Sequence, residues 1–184
     1  TDAQGTPWAS CGVRKDAGDD ADATDGALVV VRVSLVNTPG TTIEGGAGVG
    51  RVTRAGLDQP VGAAAINSVP RAMIASELER IAREHGWQGG FAVEVSVPGG
   101  EEIARKTFNP RLGIEGGISI LGTSGIVRPM SEEALVESIR LEMRMRRAQG
   151  LRDLVLVPGN YGQDWAQDKE DVDPTHIVSC SNFL

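Results

Sequence analysis

The sequence predicts two architectures in series: an α+β domain with antiparallel strands over residues 1–112, then the start of an α/β (Rossmann-like) domain over 113–184. Three observations carry this. Phe91–Val97 alternates apolar and polar residues, the mark of a strand with one face in a core. Two long segments, Val69–His85 and the one following Pro129, combine helical periodicity with start and stop signals. From Gly113 onward the order becomes strand, helix, strand, which opens an α/β unit.

The elements follow in order. Residues 1–26 are polar and acidic and read as loop. Ala27–Val36 is β-branched and apolar without interruption, so a strand buried on both faces is expected. Glu44–Thr53 is a Gly-rich bend entering a short strand. In the first helix Ser68 is the expected N-cap, Pro70 fits the first turn and Gly86 suits the C-terminus. Ile74, Leu78, Ile81 and His85 share its apolar face. After Phe91–Val97, Pro98-Gly99-Gly100 turns the chain, and Ile103–Phe108 is expected to return as an antiparallel partner. Ile114–Gly125 is a short strand bracketed by glycines. The second helix should be capped by Ser131 and end in Arg144, Arg146 and Arg147 before Gly150, an order that suits the helix dipole. Leu154–Val157 is a buried strand, after which the chain turns polar and acidic.

The 184 residues are 40% hydrophobic but only 4% aromatic, so aliphatic side chains must build the core. A net charge of −7 argues against nucleic acid and against an anionic membrane surface, since both need a basic face. No apolar run is long enough to span a bilayer and residues 1–10 do not read as a signal peptide, so a cytoplasmic protein is expected. Cys11 and Cys180 read as two reduced thiols. His85 and His176 lack ligand-like neighbours in sequence, and neither zinc chemistry nor serine hydrolysis has a signature.

Four features are candidates for function. Asp16, Asp19, Asp20, Asp22 and Asp25 could hold a hard cation or supply a general base; equally, they could form a solvated loop bonding its own backbone. Gly45–Gly50 resembles a phosphate cradle but matches neither dinucleotide fingerprint nor P-loop, and a tight bend explains it equally well. Gly122, Thr123, Ser124 and Gly125 lie between strand and helix, where backbone N–H groups can meet an anionic group. Arg51 and Arg54, then Arg105, Lys106 and Arg111, then Arg128 flank these loops and could form a local site for carboxylates.

Read together, Lys15–Asp20, Gly45–Gly50, Ala65–Asn67, Val97–Glu102, Lys106–Ile114, Gly116–Thr123 and Gly125–Ala134 make the chain resemble the CbiD family, the cobalt-precorrin-5B C(1)-methyltransferases of anaerobic cobalamin biosynthesis. The resemblance spans about Val13 to Asn182, with Lys106–Ala134 its most specific stretch. Ala21 and Ser68 stand where proline is usual, and Asp25 where histidine is usual. The family's Thr/Gly/Ala-rich opening and its segments after Ser-Asn-Phe have no counterpart, so a truncated member is expected.

The resemblance implies methyl transfer from S-adenosylmethionine to ring carbon C-1 of a tetrapyrrole, with cobalt arriving only as part of the substrate and no metal ligand required of the protein. For such a reaction Gly122, Thr123 and Gly125 are assigned to the methyl-donor or substrate loop, and Arg105, Lys106, Arg111 and Arg128 are expected to hold substrate carboxylates. Asp16, Asp19 or Asp20 would orient the donor or assist proton removal. A nucleotide-dependent transferase working through Gly45–Gly50 and a noncatalytic tetrapyrrole- or partner-binding domain stay open as alternatives. So do homo-oligomerisation and association with other enzymes of the same pathway.

Overall fold

The computed structural model describes residues 1, 3, 5–18, 22–122, 132–168 and 170–180. Its architecture is mixed α+β, with two compact units: Thr1–Thr53 with Asp58–Pro129, and Arg54–Leu57 with Met130–Leu184.

The first unit is built on a four-stranded sheet. Its strands are β1 (Trp8–Arg14), β2 (Leu28–Val36), β3 (Thr41–Gly45) and β6 (Gly90–Ser96), in the order β1-β2-β6-β3. β1 and β2 pair antiparallel, as do β2 and β6, while β3 runs parallel to β6. The alternation expected of β6 is present: Phe91, Val93 and Val95 are buried and Glu94 is exposed. Val29, Val31, Val33 and Leu35 of β2 meet the same core. β2 is half-buried along its whole length rather than buried on both faces: its odd-numbered side chains meet the core, while on the other side Arg32 lies against the Trp8 ring of β1. β1 falls within the stretch expected to be loop. Its residues are exposed throughout, so no burial pattern announced it.

α1 (Ser68–His85) covers the apolar face, and Gly86 ends it in the left-handed conformation at φ 66°. Asn67, not Ser68, is the N-cap; the Ser68 N–H and hydroxyl meet the Asp58 carboxylate at 2.6 and 2.8 Å. The buried face is also rotated from the expected one. Ile74, Leu78 and Ala82 pack on the core, whereas Ile81 and His85 are exposed. Arg71 accounts for this rotation. From the first turns of α1, its guanidinium donates to the carbonyls of Ile66, Ile43 and Ala64 at 2.8, 2.7 and 3.4 Å, which fixes the helix about its axis.

Ile103–Phe108 is not the expected return strand. Both edges of β6 are already occupied by β2 and β3, so no hairpin partner fits. The chain instead forms α2 (Gly100–Ala104), with Glu101 and Glu102 in its first turn, then α3 (Asn109–Leu112). The remaining strands of this unit are two residues long. β4 (Gly48–Val49) pairs parallel with β8 (Gly117–Ile118), and β5 (Arg51–Val52) pairs antiparallel with β7 (Ile114–Glu115). Residues 114–118, expected to open the second domain, thus pair with strands of the first unit.

The second unit contains α4 (Glu132–Ala148), β9 (Val155–Val157), α5 (Gly159–Asp168), a 3-10 turn at Pro174–His176 and β10 (Ile177–Ser179). Arg146 and Arg147 lie in the last turn of α4 as expected; the proposed Ser131 cap lies outside the described residues. β9 and β10 are parallel, and Val157, Ala166 of α5 and Ile177 form a small core. Val155 and Leu156 are exposed rather than buried; Val157 is the residue of β9 that enters the small core, and among the described residues β10 is the one strand paired with β9. α5 and β10 were not legible in a stretch that reads as polar and acidic.

Candidate active site

The Gly-rich bend is a packing device. A Cβ on Gly48, whose φ is +74°, would lie 1.8 Å from the Val97 carbonyl oxygen. A Cβ on Gly100 or Gly117 would lie 2.1 or 2.2 Å from the carbonyl oxygen of Gly48. Three backbones therefore meet where no side chain fits. The N–H groups of Gly46, Val49 and Gly50 donate to the carbonyls of Val95, Gly46 and Ile118 at 3.2 Å or less. A phosphate cradle needs such groups free and convergent. The bend thus follows the tight-turn reading rather than the nucleotide one.

This close packing carries β8 forward along a second stretch of chain. The Ile120 N–H donates to Ala65 at 2.8 Å, the Asn67 N–H donates to Ile120 at 2.9 Å, and Ile66 and Ile120 form a parallel bridge. Ala65–Asn67 and Ser119–Leu121 therefore run side by side, the former into the N-terminus of α1. Leu121 is exposed and Gly122 half-buried, with φ 148° at Gly122. Thr123, Gly125 and Arg128 lie outside the described residues.

Asn109 ties the basic segment to this strand. It is buried, its amide donates to the Gly117 carbonyl at 3.2 Å, and its side-chain oxygen accepts from the Ser119 hydroxyl at 3.4 Å. Around it, Arg105, Lys106 and Arg111 are all exposed. Arg105 pairs with Glu102 at 3.1 Å, and the Arg111 guanidinium lies 5.8 Å from the ring centre of Phe108, which is 69% exposed. Three cations and an exposed aromatic ring thus sit on one short segment anchored to β8. Arg51 donates to the Gly62 carbonyl at 3.1 Å. Arg54 belongs to the second unit. Asn109 and Ser119 were not singled out from the sequence; the one available signal was their place inside the most specific stretch of the resemblance.

The acidic loop joins β1 to β2. Asp16 accepts from the Gly18 N–H at 2.9 Å, and Asp25 accepts from the Ala17 N–H at 2.9 Å. Asp22 pairs with Lys15 and accepts from the N–H and hydroxyl of Thr24, both at 2.7 Å. Partial burial alone would raise the Asp22 pKa, but these bonds outweigh it and hold the carboxyl below its ordinary value. The loop is thus built on its own carboxylates. Asp19 and Asp20 lie outside the described residues. Among the described residues no group of three or more His, Cys, Asp and Glu could hold a metal ion. No helix among them is long and apolar enough to cross a membrane.

A mixed sheet covered by one helix, and glycine-locked short strands bringing the conspicuous motifs together, define a specialised α+β protein. The CbiD family model matches residues 2–129, and the chain belongs to that family. It is 51% identical over 175 residues to a cobalt-precorrin-5B C(1)-methyltransferase of Ruminiclostridium cellulolyticum, covering 95% of this chain and 45% of the relative. It is 51% identical over 180 residues to the protein of the same name from Thermoanaerobacter sp., covering 98% and 48%. The chain spans about half the length of these curated relatives. A crystal structure of cobalamin biosynthesis protein (cbiD) from Archaeoglobus fulgidus is similar at a TM-score of 0.50 and 28% identity, over 94% of this chain and 60% of that one.

Proposed function

We propose that this chain belongs to a cytoplasmic, S-adenosylmethionine-dependent C-methyltransferase that acts on ring carbon C-1 of cobalt-precorrin-5B to give cobalt-precorrin-6A. The observation that carries this reading is the match along nearly the whole chain to relatives bearing that name. The convergence of the Gly45–Gly50, Ala65–Asn67, Val97–Gly100 and Gly116–Gly122 segments on one glycine-locked core supports it.

In this reaction the ring carbon forms a bond to the methyl group as the carbon–sulfur bond breaks. The bonding pair returns to sulfur, and S-adenosylhomocysteine leaves. The sulfonium already activates the methyl group, so the protein's tasks are alignment and exclusion of water. Arg105, Lys106 and Arg111 take the substrate's carboxylates, with Arg128 from the same stretch of sequence. Asn109 holds this segment at a fixed distance from β8. Gly122, Thr123 and Gly125 form the donor loop, and Asp16, Asp19 or Asp20 assists proton removal or orients the donor. Cobalt enters with the macrocycle. The parallel β9–α5–β10 arrangement supports reading the second unit as the opening of a Rossmann-like domain.

Calorimetric titration with S-adenosylhomocysteine tests the proposal. One-to-one binding is expected, lost on Gly122→Val. No binding by a chain that is folded by circular dichroism would overturn the donor-loop assignment. Tetrapyrrole binding without donor binding would replace the catalytic reading with a noncatalytic one.

A further inference from the structure

Among the described residues β1 is an edge strand with an open hydrogen-bonding side. Its seven residues are all exposed, and among the described residues only β2 pairs with it. Natural edge strands are blunted by proline, lysine or bulges. Trp8–Arg14 has none of these: its register with β2 is unbroken and its one charge, Arg14, is at its end. The direction of its free groups follows from the pairing. The Leu35 N–H donates to Pro7 and the Lys15 N–H donates to Ala27, at 3.0 and 2.9 Å, so odd-numbered residues turn their backbone groups toward β2. Trp8, Ser10, Gly12 and Arg14 therefore turn theirs outward.

We infer that two copies of this chain associate by antiparallel pairing of β1 with β1 about a two-fold axis at Cys11. This register overlaps all seven residues and sets outward-facing groups against each other: Ser10 opposite Gly12 of the second copy, and Trp8 opposite Arg14. The strand is self-complementary in this register. The Trp8 ring, which already carries Arg32 at 4.6 Å, gains a second guanidinium beside it. On the other face Ala9 meets Val13, which is 67% exposed in the single chain. The result is one continuous eight-stranded sheet in which β1 is no longer an edge.

The register also makes a covalent test available. Cys11 is an exposed free thiol, and on the axis it faces its own copy as a non-hydrogen-bonded pair. Such pairs have Cα atoms about 4.5 Å apart, within reach of a disulfide. Treatment with a diazene oxidant such as diamide should join the two thiols, two protons and two electrons passing to the diazene to give the hydrazine. Cys180 is buried and should not contribute.

The experiment combines sedimentation equilibrium over a concentration series with diamide cross-linking. A species of twice 19.4 kDa is expected at high concentration, cross-linked through Cys11 and uncrosslinked in Cys11→Ser. Ser10→Pro removes an outward N–H without touching the β1–β2 ladder, so it should raise the dimer dissociation constant at least about tenfold while leaving the far-UV spectrum unchanged. Ser10→Lys, a second edge-blocking variant, should do the same if the proline variant misfolds. The axis is tested by placing single thiols in a Cys11→Ser background: Ala9→Cys should cross-link with Val13→Cys but not with itself. A monomer at every concentration would overturn the inference. So would a dimer indifferent to both Ser10 variants, or cross-linking in another register.

Discussion

The carbonyl oxygen of Gly48 occupies the space that a side chain at Gly100 or at Gly117 would need, 2.1 and 2.2 Å from the two Cβ positions. One atom thus excludes side chains from two distant parts of the sequence. The contact is backbone against backbone, so no rotamer change can relieve it. Gly100→Ala and Gly117→Ala should each destabilise the first unit by about 3 kcal/mol, the upper range for overpacking. Gly48→Ala should cost at least as much, since its φ of +74° adds left-handed strain. Urea unfolding of the three variants checks this; a loss under about 0.5 kcal/mol would mean the backbones can separate.

Asn109 offers a different kind of sensitivity. Its amide satisfies the carbonyl of Gly117 and its oxygen meets Ser119. Asn109→Ala should leave a buried acceptor without its partner, at a cost of about 1–3 kcal/mol. Asn109→Asp keeps the shape but cannot donate when ionised, so it should be at least as damaging at neutral pH. If Asn109 positions Arg105, Lys106 and Arg111, both variants should weaken tetrapyrrole binding more than S-adenosylhomocysteine binding. An equal effect on both ligands would make it a stability residue alone.

The sequence made β6 and α1 legible because both have one face in a core and one in water, and such faces write a period. It also marked the glycines, though only as a choice between a ligand cradle and a close approach. Position in space decided that choice, and a linear pattern cannot show that Val97, Gly100 and Gly117 surround Gly48. β1 was missed because an exposed edge strand has no burial period. Ile103–Phe108 has a local pattern that suits a strand, while the occupancy of both edges of β6 is a fact of topology that the pattern does not carry. The rotation of α1 followed from Arg71, whose carbonyl acceptors lie in residues remote from it or outside its helix. The basic positions of the candidate site were legible as residues; Asn109, which anchors three of them, was hidden by being one amide inside a long motif.

Asp58 links helix α1 to pH. Partial burial would raise its pKa, but bonds from the Gln59 amide and from the hydroxyl and N–H of Ser68, with the charge of Arg71, outweigh this and lower it. A carboxyl whose folded pKa is depressed contributes stability above its unfolded value, and that contribution is lost as pH falls through the folded value. The Asp58 contribution should thus be complete well above 3.8, the ordinary aspartate value, and fade below it. Asp58→Ala should cost about 1 kcal/mol at pH 7, as for loss of a helix cap. The gap between variant and parent should narrow as pH falls below 3.8. Thermal melts of both proteins from pH 7 down to acid measure it. A gap independent of pH would mean that the carboxylate's charge has no part in the contact.

The last prediction separates the two ligands. Arg105, Lys106 and Arg111 lie exposed on the segment from α2 through α3, and Arg128 follows in the same stretch of sequence. A methyl donor with one carboxylate and a macrocycle with several respond differently to loss of this charge. Each hydrogen bond to a charged group contributes about 1.5–3 kcal/mol. Reversing Arg111 or Arg128 to Glu should therefore weaken tetrapyrrole binding by about tenfold to a hundredfold. S-adenosylhomocysteine affinity should change by less than about threefold, because the donor product offers one carboxylate where the macrocycle offers several, and salt screens exposed charges. Lys106→Glu should act in the same direction. Arg105→Glu should act in the same direction, with its Glu102 pair broken as well. Fluorescence quenching by the macrocycle and calorimetry with the donor product, run on the same variants, give both affinities. If all four reversals leave tetrapyrrole binding unchanged, the carboxylates are held elsewhere, and the basic segment is a solvated surface.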